Sequence, residues 1–330
     1  AGERNRIPDV HLVNTNGMGR KIECTARWRR SRARRQGTVF ISIMTETNES
    51  EALRILVVKA HPHDFTHCAG TCGIHNARGD SVTVVSVTGG AKTHNEQLYD
   101  ELIKPESEQD RSIVDQPIEE YGSSKVQELK KVCALFGVTD VRVLNFGQPF
   151  RVDQAPEAVE QLREIFYEVR PHVLITQSPY LRGPHGLSSG VRDDHTETAA
   201  AVMEAKLLAS IPDPETKRTP HTVAATYYPG VYFMRNEIDF FVDITAWKDQ
   251  RVQAEVLFAS QGHTEPFAQK RIELFAGFTG WQAGTEYAEA FVRAAPETLP
   301  HIIVPEFALR SAGEPRATAL MRRIKAKAPS

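Results

Sequence analysis

Cysteine is scarce in this chain of 330 residues. Only Cys24, Cys68, Cys72 and Cys133 are present, and no two are spaced Cys-x-x-Cys. That excludes a zinc ribbon and offers no disulfide framework, so a reducing, cytoplasmic setting is expected. No apolar run approaches the roughly 20 residues of a membrane span, and no secretory apolar core is seen. A membrane partner is therefore not expected. Internal repeats are also missing. Net charge is only −2, which leaves the chain as a whole without the basic footprint of a nucleic-acid binder.

That balance hides an asymmetry. Residues 1–43 hold ten Lys/Arg against three Asp/Glu, a net of +7, and the remainder holds thirty against thirty-nine, a net of −9. The basic part peaks at Arg27-Trp28-Arg29-Arg30-Ser31-Arg32-Ala33-Arg34-Arg35. A basic arm on an acidic body does not point to nucleic acid as a partner. Met44 opens a polar stretch that reads like a natural N-terminus. Residues 1–50 are expected to be a disordered basic extension, 51–310 one domain and 311–330 a C-terminal tail.

The chain is organised around residues 55–73. Ile55-Leu56-Val57-Val58 reads as a strand buried on both faces of a parallel sheet. His61, Pro62, His63 and Asp64 follow at its carboxyl end, where open α/β sheets bind their ligands. Pro62 suits a first helical turn. His61 and Asp64, three apart across that turn, can face one atom, and imidazole with carboxylate is an ordinary ligand pair for zinc. The same loop could equally be a helix cap with solvated imidazoles.

Helix–strand alternation continues: a helix over 68–77, a strand over 81–87, a long polar loop over 91–117, a helix over 118–136, a strand over 140–146, a helix over 156–169 and a strand over 172–176. A Ser-, Gly- and Pro-rich loop over 177–193 precedes a helix that begins near Asp194-His195. Strands are expected at 224–228 and 240–244, and helices at 248–259, 266–276 and 287–293. Repeated alternation predicts a Rossmann-like, three-layer α/β fold, mostly parallel, with helices on both faces. His67 is read as half-buried, and His94 and His172 as structural. Cys68 and Cys72 are read as two thiols packed on one helix face.

These residues resemble the motifs of the LmbE-like, or PIG-L, family of zinc-dependent N-acetylglucosaminyl deacetylases. Ala60-His61-Pro62-His63-Asp64-Phe65 resembles the family's Ala-His-Pro-Asp-Asp-Glu. Asp194-His195 resembles its second motif. Asp243-Ile244-Thr245, Ser260-Gln261 and Tyr287-Ala288-Glu289-Ala290-Phe291 resemble its later ones. The likeness runs from residue 53 to about 294. It implies one catalytic domain over 51–310, with a metal held by His61, Asp64 and His195. Zn²⁺ is the expected ion, and Fe²⁺ or Mn²⁺ also suits two imidazoles and a carboxylate. Asp194 would orient the site.

Two departures stand out. His63 occupies the place of the family's general base, and Phe65 that of its glutamate. Arg192 stands where the family has an oxyanion-stabilising histidine, and an arginine can serve that role. Three functions follow as expectations. The first is a zinc hydrolase that removes an acyl group from a small N-acyl, sugar-like substrate, with His63 as base and Arg192 at the oxyanion. The second is a hydratase of unsaturated dicarboxylic acids, similar to 4-oxalomesaconate hydratase, with Arg182, Arg192 and His185 on the substrate carboxylates. The third is a binding protein that kept the fold without the chemistry. His263 is expected near the substrate by the same likeness. A homo-oligomer is compatible with all three.

Overall fold

The computed structural model describes residues 52–181 and 191–315, positions 317, 318 and 321, and three short strands near the start. Those strands are β1 (Val10–Val13), β2 (Lys21–Cys24) and β3 (Val39–Ile41), joined antiparallel in that order. They fall within the stretch expected to be a basic extension, and the rest of residues 1–51 lies outside the described residues.

From residue 52 the chain builds a seven-stranded sheet around β4 (Arg54–Lys59), whose last five residues are all buried. β5 (Ser81–Thr88) and β6 (Asp140–Phe146) lie to one side of β4. β7 (Val173–Ile175), β8 (Ala225–Pro229), β10 (Ala288–Arg293) and β9 (Phe240–Asp243) follow in that order on the other. β4 through β8 run parallel, and β10 pairs antiparallel with both β8 and β9. The chain first builds leftward from β4 and then returns to its right. The switch point therefore falls between β4 and β7, where a crevice opens beyond the strand ends.

The pleat of β4 sorts its side chains between two layers. Ile55 and Val57 face α1 (Ala69–Ala77), α4 (Ile118–Leu135) and α7 (Lys248–Leu257), packing with Cys68, Cys72, Leu129, Val132 and Phe258. Leu56 and Val58 face α5 (Glu157–Val169) and α6 (Asp194–Ser210), packing with Leu162, Phe166, Ala201 and Ala205. The thiols of Cys68, which precedes α1, and Cys72, within it, are both buried. This is the three-layer α/β arrangement read from the alternation.

Three expectations change. The polar stretch 91–117 is not a plain loop: α2 (Glu96–Leu102) and α3 (Arg111–Val114) form in it, each capped by a side chain, Asn95 and Asp110. The segment 266–276 lies in a longer helical run: α8 (Glu265–Ile272), a π-turn over Glu273–Gly277 and α9 (Phe278–Ala283). The segment 287–293 is the strand β10, not a helix. Its alternation of Ala288, Ala290 and Val292 with Glu289, Phe291 and Arg293 is too short to tell the two apart, and pairing with β8 and β9 decides it. A final helix, α10, spans Glu306–Ser311. Among the described residues no helix is long and apolar enough to cross a membrane.

Candidate active site

β4 delivers Ala60 and His61 to the crevice, and Pro62 starts a 3₁₀ turn, Pro62–Cys68. Asp64 holds this turn shut: its Oδ2 accepts the backbone N–H of His61 at 3.0 Å, while its own N–H donates to the His61 carbonyl at 3.2 Å. One carboxylate thus caps the turn and faces the crevice. The cap reading of this loop is realised by this side chain, which is also a ligand candidate. From across the switch point, the first turn of α6 brings His195, with Asp193 capping the helix through the Thr196 N–H at 2.9 Å.

The three groups converge on Asp64 Oδ2. His61 Nδ1 and His195 Nε2 each lie 3.4 Å from it, and one ligand atom from each residue falls within 4.8 Å of the others. Gln177, at the end of β7, donates to the same oxygen at 2.8 Å. The far nitrogens are taken by carboxylates. His61 Nε2 donates to Asp194 Oδ2 at 2.9 Å, and His195 Nδ1 faces Asp193 Oδ2 at 3.3 Å. Each bond sets the tautomer that leaves a lone pair on the inward nitrogen. Asp194 is itself fixed by Gln148 at 2.8 Å and the Phe150 N–H at 2.8 Å.

The donor set fits a divalent cation. His61 Nδ1 is buried and has no hydrogen-bond partner among the described residues. Two imidazoles and one carboxylate are a common ligand set of a catalytic zinc, and the Asp194–His61 pair is the usual outer support of such a ligand. The electrostatics agree. Burial opposes charge on Asp64, yet His195 and His61 outweigh it and hold the carboxyl well below its ordinary range. Burial likewise opposes the His195 cation, but Asp64 and Asp193 raise its pKa to about 10. His61 is raised too, against burial, by Asp194 and Asp64. The site attracts positive charge.

The other expected residues are placed elsewhere. His63 belongs to a second cluster and donates from Nε2 to Glu255 Oε2 at 2.9 Å. His263 joins that second cluster, with Nδ1 3.5 Å from Glu255 Oε2 and its ring 5.4 Å from His63. Burial lowers the His63 pKa, and Glu255 only partly offsets this. Arg192 is half exposed and pairs with Glu197 and, at 3.7 Å, with Asp153. Arg182 and His185 lie outside the described residues. His67 sits between the clusters, its ring 6.5 Å from His63 and 5.9 Å from Tyr232, which in turn is 5.6 Å from His195. His172 is structural, bonded to Arg54. Phe65 is fully buried against Phe136 and belongs to the core.

Residues 56–206 match the family model described as GlcNAc-PI de-N-acetylase, PIG-L. The resemblance to the PIG-L, or LmbE-like, family read from the motifs is borne out over this stretch. The chain is 31% identical over 178 residues to a 1D-myo-inositol 2-acetamido-2-deoxy-alpha-D-glucopyranoside deacetylase of Thermomonospora curvata, covering 48% of this chain and 54% of that protein. It therefore spans about half the length of the relatives it matches. Two solved structures share the fold. The 4-carboxy-2-hydroxymuconate hydratase of Pseudomonas putida KT2440 has a TM-score of 0.58 at 19% identity, over 76% of this chain and 99% of that one. The N,N'-diacetylchitobiose deacetylase of Pyrococcus horikoshii has a TM-score of 0.55 at 20% identity, over 78% and 89%.

The matched stretch takes in all three ligand candidates and ends inside α6. Glu255 and His263 lie beyond it. Sequence reading missed Asp193, Gln177, Gln148 and Glu255. Asp193 had a signal, since Asp before a helical run is a strong N-cap. Glu255 had none: nothing in the spacing of α7 says that it meets a residue 192 positions earlier.

Proposed function

We propose that this domain is a metal-dependent hydrolase that removes an acyl group from an N-acyl, sugar-like substrate. One observation carries the reading: the buried, unpartnered Nδ1 of His61 faces Asp64 and His195, and the outer nitrogens of both histidines are held by carboxylates. His61, Asp64 and His195 would hold the ion, Zn²⁺ by ligand type. A bound ion there would acidify water towards neutrality and polarise the amide carbonyl.

The chain's own groups prepare that chemistry. Asp194 and Asp193 fix the imidazole tautomers, and Gln177 fixes the Asp64 carboxylate. With Nε2 donated to Glu255, His63 keeps its lone pair on Nδ1, and its lowered pKa keeps it neutral near pH 7. A neutral imidazole is competent to accept a proton, so His63 is assigned the base. Arg192 would have to release Glu197 before it could meet an oxyanion.

A second reading, hydration of an unsaturated dicarboxylic acid, is favoured by the loop itself, where His63 replaces an aspartate and Phe65 a glutamate. The deciding experiment measures metal content of the full chain and of His61→Ala. Acetate release from N-acetylglucosaminyl glycosides is then assayed beside hydration of unsaturated diacids. One equivalent of metal, lost in the variant, with acetate release, is the expected result. Metal with hydration alone favours the second reading, and no metal in the wild-type protein sinks both.

A further inference from the structure

A second recess lies beyond the metal candidates, on the side of α7. Its cavity is about 370 Å³, within the range of small-molecule pockets, and none of His61, Asp64 or His195 lines it. Its walls are apolar, with Ile238, Phe241, Phe275 and Phe278 among them. Its floor is polar: Thr66, His67, Arg251, Glu255, Arg271 and Glu289.

The floor is unevenly satisfied. Glu289 is fully engaged, taking the Gly70 N–H at 2.9 Å and the Thr71 N–H and hydroxyl at 2.8 and 2.7 Å. Glu255 takes His63 at 2.9 Å, with Arg271 Nε at 3.3 Å. Arg251 is left over. Only 6% exposed, it lies 3.5 Å from Glu289 and 4.0 Å from Glu255, and its Nε and Nη1 have no hydrogen-bond partner among the described residues. Thr66 Oγ1 and His67 Nδ1 are buried and unpartnered as well.

Charge adds to this. Lys59 is 1% exposed and its Nζ has no hydrogen-bond partner among the described residues; Asp64 favours charge on the nearby His67, and Lys59 and Arg271 oppose it. Two cations, Arg251 and Arg271, and two carboxylates, Glu255 and Glu289, line the floor, and both carboxylates are already engaged by other donors. Buried donors without acceptors are costly and are normally satisfied by water or a ligand. A guanidinium and a hydroxyl both seek an acceptor, and guanidinium suits a carboxylate best.

We propose that this recess is a binding site for a small amphipathic carboxylate. Its carboxylate meets Arg251 and Thr66, and its aryl or alkyl body lies against Phe241, Phe275 and Phe278. The site is separate from the metal candidates and does not depend on what they hold.

The test is calorimetric titration of the full chain with 4-phenylbutyrate and with its neutral amide. Saturable binding of the acid is expected in the wild-type protein and equally in His61→Ala, at least tenfold weaker for the amide. Arg251→Gln should weaken it tenfold or more. Because Arg251 is buried, the exposed-side variants Arg271→Gln and Phe278→Ala repeat the test with less risk to folding, and each should weaken binding by a similar factor. Three results would overturn the proposal: no binding to folded wild-type protein, including the case in which a second copy of the chain covers this face; unchanged binding in all three pocket variants; or loss of binding in His61→Ala, which would put the probe at the metal candidates instead.

Discussion

His63 Nε2 lies 2.9 Å from Glu255 Oε2, with both side chains more than nine-tenths buried. Residues 192 apart in sequence thus share one proton in the core of the domain. The pair ties the loop after β4 to α7, and Arg271 and His263 close around the same carboxylate.

Removing Glu255 should therefore cost stability. Glu255→Ala leaves His63 and Arg271 without their shared acceptor, and a buried donor left unsatisfied typically costs about 1–3 kcal/mol. Urea unfolding of the variant beside wild type measures it. A loss below about 1 kcal/mol would mean that the carboxylate is dispensable to the fold.

Asp194→Asn should act on metal affinity. The amide nitrogen or a misplaced oxygen no longer fixes the His61 tautomer, and loss of such an outer partner typically weakens metal binding by about 10–100-fold. Competition against a chromophoric chelator reads this directly. Equal affinity in the two proteins would remove Asp194 from the site.

Lys125 sets a pH dependence. Its amine is fully buried, donating to the Thr93 carbonyl at 2.6 Å. Burial lowers its pKa to about 8, with Glu96, Asp64 and Glu128 opposing, from an ordinary 10.5. Between those values the unfolded chain binds the extra proton, so this group's contribution to stability rises with pH from about 8 to 10.5 and is flat below. The rise is at most ~3 kcal/mol. The difference in unfolding free energy between wild type and Lys125→Met, followed from pH 7 to 10.5, should change across that window. A constant difference would contradict the burial of the charge.

Gly280→Ala should destabilise the end of the helical run. A Cβ there would lie 2.3 Å from the Glu286 carbonyl oxygen and 2.5 Å from the Tyr287 nitrogen, both backbone atoms that cannot swing aside. Overpacking of this kind costs about 1–3 kcal/mol. Thermal unfolding would show a lowered Tm, and an unchanged Tm would mean that β10 can shift away from α9.

Local sequence was enough for much of the architecture. The apolar run of β4, the turn residues after it and the 3.6-residue spacing of α4 and α5 depend on neighbours a few positions away. Strand–helix alternation then implied a parallel sheet, and His61 and Asp64 could be paired because three residues separate them on one turn. Tertiary structure decided the rest. The segment 287–293 became a strand because two partners, β8 and β9, offered hydrogen bonds that its own short pattern could not announce. Asp193 and Gln177 joined the ligand candidates only because β7 and α6 meet β4 at the switch point. The direction of His63, towards Glu255, was settled by packing against α7. A side chain's neighbours in the chain limit its backbone, but which charge it meets across a core depends on contacts between distant segments, and no spacing rule encodes these.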